Sequence, residues 1–264
     1  MRYVRQLKET GCAVLTIGFV LALLLTANIG WAEELSFVQK LCDAYQNIDT
    51  ITCEIRKTTK GGGRTMRMLS RVYYKKGYYV HVDNVTPRKR RIIADSKTLW
   101  YYETDAPRGF SRSISELTEV WMSAINNIPG TPMENLLKLR GLPEISLPAT
   151  DEYPIRKAYQ AEKAYVVLYC DNSERLIKIE FFDSSEMKKS IAHYNYSAFQ
   201  KANEHCWIPC LHKAVISLPD GEEMTETRRI NNLEVNKPVA DRMFKAGIFF
   251  KDVEFVGDFE KMYD

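Results

Sequence analysis

Residues Ile92 to Tyr102 read Ile-Ile-Ala-Asp-Ser-Lys-Thr-Leu-Trp-Tyr-Tyr, β-branched and aromatic residues flanking a polar triplet. Side chains of these types favour a pleated, half-buried backbone. The stretch reads as two short antiparallel strands, Arg91–Ala94 and Thr98–Glu103, joined by a turn at Asp95-Ser96-Lys97. Upstream the same period of two recurs. Ile51, Cys53 and Ile55 alternate with Thr52, Glu54 and Arg56, and Gly61-Gly62-Gly63 marks a turn. Met66, Met68, Val72 and Tyr74 then alternate with Arg67, Arg71, Tyr73 and Lys75, and Tyr78, Val80 and Val82 with Tyr79, His81 and Asp83. This is the pattern of an antiparallel meander with one apolar and one wet face. Ahead of it, Leu35, Val38, Leu41, Cys42, Tyr45 and Ile48 recur at helical spacing and predict an amphipathic helix.

Downstream, Ser113-Ile-Ser-Glu116 has the form of a capping box before Leu117, Val120, Trp121, Ala124, Ile125 and Ile128. Pro129-Gly130 stops that helix, and Thr131-Pro132-Met133-Glu134 starts a second, with proline at the first helical position, carrying Leu136, Leu137 and Leu139. Leu142 to Pro154 holds three prolines and reads as a loop. Strands are expected again at Ala164–Cys170, Leu176–Phe182, Ile191–Phe199, Trp207–Leu218 and Glu223–Val235, the last two joined at Pro219-Asp220-Gly221. No internal repeat or low-complexity segment interrupts them.

The chain has 264 residues, 45% hydrophobic and 27% charged, enough for one large all-β domain or two small ones. Arg2, Arg5 and Lys8 precede an apolar run from about Ala13 to Ile29, with Gly30 and Ala32 as small residues before a cleavage point. This is signal-peptide grammar, so residues 1–32 are read as an export signal, with an uncleaved N-terminal anchor as the alternative. One domain is expected from Glu33 to about Gly247, followed by an acidic-aromatic tail, residues 245–264. The mature net charge falls to about +1, which selects no partner by electrostatics.

Export would leave Cys42, Cys53, Cys170, Cys206 and Cys210 where disulfides persist. One or two bridges are expected, with an odd thiol left over. Cys42 and Cys53 fall on apolar faces of consecutive elements and make a reasonable pair. Cys206 and Cys210 would lie about 13 Å apart on a straight strand, so they pair only if Pro209 breaks it. The same distance argues against a metal site among His205, Cys206, Cys210 and His212. Pro87-Arg-Lys-Arg-Arg91 is the densest basic cluster. It reads first as a solvated turn and strand end, and second as a dock for phosphate head groups. Nucleic acid is an unsuitable partner for an exported chain. No Gly-x-Ser-x-Gly elbow, phosphate-cradling loop or His-Glu-x-x-His helix is present. Nothing nominates an enzyme, a metal or a cofactor.

Several of these segments resemble, in order, the LolA/LolB family of lipoprotein-sorting proteins. They are Val72-Tyr-Tyr-Lys-Lys-Gly-Tyr-Tyr-Val80, then Ile92–Tyr102, Asn172–Asp183, Trp207-Ile-Pro209 and Leu233–Phe244. The resemblance implies a mainly β (α+β) fold, an incomplete, strongly curved antiparallel β-barrel covered by the N-terminal helix and short lid helices. It implies a periplasmic monomer that encloses lipoprotein acyl chains or another lipid, receiving them from an inner-membrane donor complex and passing them to an outer-membrane acceptor. The lid corresponds to the helices at Leu117–Ile128 and Met133–Leu139, with Trp121, Ile125, Leu136 and Leu137 as lid candidates. Met68, Tyr74, Val80, Trp100, Tyr102, Ile179 and Tyr194 are the sheet candidates. An arginine latches the lid in the family's carriers; Lys76 stands there in this chain and lacks the planar guanidinium fork. Alternatives are a sensor of the RseB kind, which shares the fold and holds a signalling partner, and an exported structural protein with no ligand.

Overall fold

The alternating segments become strands. The computed structural model describes residues 35–161 and 164–264, without the side chains of 123 and 124. The expected export signal lies outside the described residues. Phe37–Gln46 forms α1, burying Val38, Cys42 and Tyr45 along one stripe. Thr50–Gly61 (β1), Arg64–Lys75 (β2), Tyr79–Thr86 (β3), Arg90–Asp95 (β4), Thr98–Glu103 (β5) and Gly109–Ser113 (β6) follow as an antiparallel meander. The turn between β4 and β5 closes through its aspartate. Asp95 Oδ1 accepts from the amides of Lys97 at 3.1 Å and Thr98 at 3.0 Å, while Ser96 adopts a φ of 74°.

The capping box does not form. Ser113 makes no side-chain cap; Ile114–Glu116 is a 3-10 turn and the helix α2 starts later, at Glu119–Asn126. Pro132 precedes the next helix, α3 (Met133–Leu137), as its N-cap and not as its first turn. The expected loop contains a short strand, β7 (Glu144–Ser146), and β8 (Ile155–Ala161) follows where no strand was read. Ala164–Cys170 (β9), Leu176–Phe182 (β10), Ser190–Lys201 (β11), Trp207–Ser217 (β12) and Glu223–Val235 (β13) match the remaining strands within a few residues. The final segment is folded into the same unit, Phe37–Asp264. Ala246–Phe249 forms α4, and Phe255–Val256 (β14) pairs parallel with β6.

The fourteen strands make one open sheet in the order β14-β6-β5-β4-β3-β2-β1-β13-β12-β11-β10-β9-β8-β7. It is strongly curved, as α1 shows. The amide of Phe37 at its start donates to Glu144 on β7, at 2.8 Å, and the carbonyl of Gln46 at its end accepts from Lys76 beside β2, at 2.9 Å. A ten-residue helix is about 15 Å long. In a flat sheet the eight steps from β2 to β7 would span about 38 Å. The sheet therefore curls round the helix.

Cross-strand register divides the two faces. Ile51, Tyr74, Val80, Ala94 and Leu99 form one row across β1 to β5, every member buried against the helices. The adjacent outer row is Tyr73, His81, Ile93 and Trp100. The C-terminal segment covers that outer side: Phe244 meets Tyr79, Phe249 meets His81 and Phe250 meets Tyr102, at centroid separations of 5.5, 4.5 and 6.2 Å. It then pairs along β6 as the edge strand β14 and returns to the inner side, where Met262 is wholly buried in the main core.

Candidate functional site: a roofed pocket on the inner face

Beside α1 the fold leaves a pocket of about 300 Å³, lined by Phe37, Leu41, Tyr45, Arg175, Leu176 and Trp207. Beneath α3 the inner face stays open, leaving a second pocket of about 210 Å³. Its roof is Thr131, Pro132, Glu134 and Asn135, at and just before α3. The floor is set by alternation on β11, β12 and β13. Tyr194 and Tyr196 oppose Ala214 and His212, which oppose Glu226 and Arg228. The walls are thus aromatic and aliphatic on one side, with a charged group on the other.

His212 ties the roof to the floor. Its Nε2 lies 3.1 Å from the carbonyl of Gly130 and 3.0 Å from that of Pro209. Carbonyls only accept, so Nε2 carries the proton and donates to both. Burial, reinforced by the charge of Arg228, depresses the imidazole pKa to about 4, so the ring stays neutral. It stands edge-on to Tyr196, 5.0 Å between centroids. Gly130 permits this close seat. Its φ is +80°, and a Cβ there would collide with Ile230 on β13.

Glu226 is flanked by Lys57, in a short ion pair, and by Arg228 at 3.1 Å. Burial pushes its carboxyl pKa up, but the hydrogen bonds and charges of Lys57 and Arg228 outweigh it and the net shift is down. The trio carries one positive charge in excess; Glu226 and Arg228 line the pocket and Lys57 stands behind them on β1. A second such device sits at the start of α1. Glu144 accepts from Tyr159 Oη at 2.7 Å and Phe37 N at 2.8 Å, and pairs with Lys157 at 2.8 Å. A carboxylate at a helix N-terminus is stabilised by the helix dipole. Among the described residues no three His, Cys, Asp or Glu side chains are grouped to hold a metal ion, and no helix is long and apolar enough to cross a membrane.

No family model matches the chain. Over 79 residues, 29% of the chain, it is 33% identical to an outer-membrane lipoprotein carrier protein of Histophilus somni. Over 112 residues, 41% of the chain, it is 28% identical to the protein of the same description in Haemophilus influenzae. The chain is LolA-like. The matches span 37% and 49% of those relatives' own length, less than half of each. Among solved structures, a DUF1329 family protein from Desulfovibrio piger superposes on 81% of this chain and 98% of its own, with a TM-score of 0.51 at 10% identity. That likeness concerns the fold alone.

Placed in this LolA-like fold, the sequence candidates separate into four groups. Tyr74, Val80, Ile125, Leu136 and Ile179 are buried together in the main core, with Trp121 packed against it. Tyr194 lines the pocket, and Met68 shares the inner face, half-buried opposite Lys57. Leu137 is exposed on α3, facing away from the core. Trp100 and Tyr102 are corrected: register puts them on the outer face, and Tyr101 between them points inward. Tyr101 joins Phe110, Trp121 and Phe259 in an aromatic cluster with centroids 5.5 to 5.8 Å apart.

Lys76, the latch candidate, bonds to α1 and not to α2 or α3. It is exposed, and its Nζ donates to the Gln46 carbonyl at 2.9 Å, tying the β2–β3 turn to the end of α1. The five cysteines among the described residues are all unbridged. Cys42, Cys53, Cys170 and Cys206 are buried and Cys210 half-buried. The Cys42–Cys53 pair is therefore not formed, and Pro209 sits inside β12 without bringing Cys206 to Cys210. Burial pushes the thiol pKa up to about 11 at Cys42 and about 12 at Cys53 and Cys206.

Sequence reasoning gave Gly130 only as a helix stop and His212 only as a disfavoured metal ligand, and it missed Tyr196 and the Lys57–Glu226–Arg228 trio. The signal for His212 was present, since it shares a strand face with Cys210. Only the β11–β12 register shows that the face also carries Tyr194 and Tyr196.

Proposed function

We propose that this protein is a periplasmic lipid carrier that holds a lipoprotein acyl chain under α2 and α3 and yields it to an acceptor. The observation that carries the reading is the pocket under α3, roofed by a five-residue helix and floored by Tyr194, Tyr196 and Ala214. The similarity to lipoprotein carrier proteins agrees with it. The 210 Å³ available is below the roughly 300–1,000 Å³ of ordinary ligand sites. A long acyl chain therefore enters by displacing the roof.

The energies permit that exchange. Ile125, Ile128, Met133, Leu136 and Leu139 are the buried anchors of the roof. Exposing all five costs roughly 8–15 kcal/mol at about 1.5–3 kcal/mol each. A chain of about sixteen carbons gains about 12 kcal/mol at ~0.8 kcal/mol per CH₂. Ligand methylenes can thus replace lid side chains against the sheet at nearly constant free energy, which suits a carrier that must also let go.

The test is mass spectrometry of organic extracts from protein purified out of the exported fraction, with titration of a fluorescent fatty acid. Saturable binding is expected, lost in Ala214→Trp, which fills the pocket. Absence of extractable lipid together with no probe binding would remove the carrier reading. A stable complex with a transmembrane signalling protein instead would favour a sensor.

A further inference from the structure

The basic cluster noted in the sequence acquires a shape in the fold. On the outer face, Arg71, Asp83, Arg91 and Tyr102 oppose one another in a single row across β2, β3, β4 and β5. The row floors a groove of about 310 Å³, closed on one side by Phe249 of α4 and on the other by Lys89 in the β3–β4 turn. The groove is distinct from the pocket under α3 and lies on the opposite face of the sheet.

Arg91 is held in place from three directions. Its guanidinium lies 5.1 Å over the Phe249 ring, donates to the Phe249 carbonyl at 3.4 Å and pairs with Asp83 at 3.2 Å. Its Nε is buried with no hydrogen-bond partner. A buried donor left unpaired is costly, and an acceptor brought to this side of Arg91 would relieve that cost. Arg71 and Lys89 are exposed, and neither side chain has an acidic partner among the described residues. Arg90 is answered by Glu103 at 3.8 Å on the inner side. With Asp83 spent on Arg91, the groove carries two uncompensated positive charges beside the aromatic walls of Tyr102 and Phe249.

We propose that this groove binds a phosphate ester. The anion would sit between Arg71 and Lys89 and accept from Arg91, and the carbon portion of the ester would lie against Tyr102 and Phe249. Two unpaired cations and a fixed guanidinium match a phosphate. Among the described residues Asp83 is the one carboxylate lining the groove, and Glu54, opposite Arg71 on β1, is paired with Arg56 at 3.0 Å. The inference goes beyond the carrier reading and does not depend on it, because the acyl pocket is on the other face.

The full chain is tested in two arms. Co-sedimentation with vesicles of equal phosphatidylethanolamine and phosphatidylglycerol, against phosphatidylcholine vesicles, reads a lipid head group. Calorimetry with glycerophosphate reads a soluble ester. Arg71→Gln and Lys89→Gln are exposed substitutions that leave the fold intact. Each is expected to weaken binding in the responding arm about fivefold, and the pair about 25-fold. The control pair Lys189→Gln and Lys213→Gln, exposed elsewhere, is expected to change it little. Fatty-acid probe binding is expected to be unchanged in every variant. A response in the vesicle arm assigns the site to a membrane surface, and one in the calorimetric arm to a soluble phosphate ester. Silence in both arms, or equal losses in the control pair, would overturn the proposal.

Discussion

The seat of the α2–α3 loop can be tested through one atom. Replacing Gly130 with alanine forces an L-residue to hold a φ of +80°, worth about 1–2 kcal/mol. The new methyl also meets Cδ1 of Ile230, a buried residue on β13, and overpacking of this kind costs about 1–3 kcal/mol. G130A is therefore expected to lose about 2–5 kcal/mol of stability. With a urea slope of about 2–3 kcal/mol per M, the unfolding midpoint falls by about 1–2 M. Ile230→Val removes the very atom that is struck. Alone it should cost about 0.5–1.5 kcal/mol. In the G130A background it should return about 1–3 kcal/mol, the overpacking part, and leave the φ part in place. Urea unfolding followed by circular dichroism on the four proteins of the cycle measures the coupling. If the two substitutions add, the loop does not rest on Ile230, and the close seat that aims the Gly130 carbonyl at His212 is not what holds the roof.

Further outcomes follow from the same geometry. Met262 is wholly buried inside the core, so Met262→Ala should cost about 2–5 kcal/mol although only Tyr263 and Asp264 follow it in the sequence; a value near zero by urea unfolding would detach the C-terminal strap. His81 and His212 both have folded pKa values near 4, below the ordinary 6.5, so the unfolded chain binds their protons first. Stability should hold above pH 6.5 and fall as the pH drops from 6.5 towards 4, by about 3 kcal/mol per histidine, and His81→Leu should remove about half of that slope. In native protein at neutral pH, iodoacetamide should label the half-buried Cys210 before Cys42, Cys53, Cys170 or Cys206, which peptide mass mapping reads directly.

Strands with clean alternation were legible from the sequence because one face is dry and the other wet. Register was not legible for the aromatic run Trp100-Tyr101-Tyr102. Three aromatic residues in succession carry no alternation, and the outer side of β5 is not wet, because Phe250 covers Tyr102. Burial on both faces erased the signal that would have shown Tyr101 pointing inward. β8 escaped for the opposite reason. Its inward positions include Lys157, which follows Ile155 and precedes Tyr159, and its charge is held by Glu144 from a neighbouring strand. The cysteines misled because spacing and compartment argue for bridges, whereas burial in a continuous core satisfies the same residues as small apolar groups. The pocket itself was half legible. Tyr194 and the helix above it were in reach, but His212 and Gly130 meet across 82 residues, a separation that only the register of β11, β12 and β13 closes.

The movement proposed for the roof leaves the open sheet intact. The sheet's edges end in very short strands, two residues in β14 and three in β7, which limits the ladder exposed to other chains. Among the described residues, the backbone hydrogen bonds of Leu117 to Leu142 stay within that segment and the turn before it. Its polar ties to the rest of the fold run through side chains, as between His212 and Gly130 at 3.1 Å and between Arg140 and Gln39 at 2.6 Å. Lifting α2 and α3 therefore exchanges apolar contacts and a few side-chain bonds but breaks no strand pairing. Each broken neutral hydrogen bond costs about 0.5–1.5 kcal/mol net in water, and one to a charged group such as Arg140 about 1.5–3 kcal/mol, so in the proposed opening the anchors at Ile125, Met133 and Leu136 weigh most. An acyl chain is the kind of guest that can take the place of those anchors, because a methylene is equivalent wherever it lies along an apolar wall.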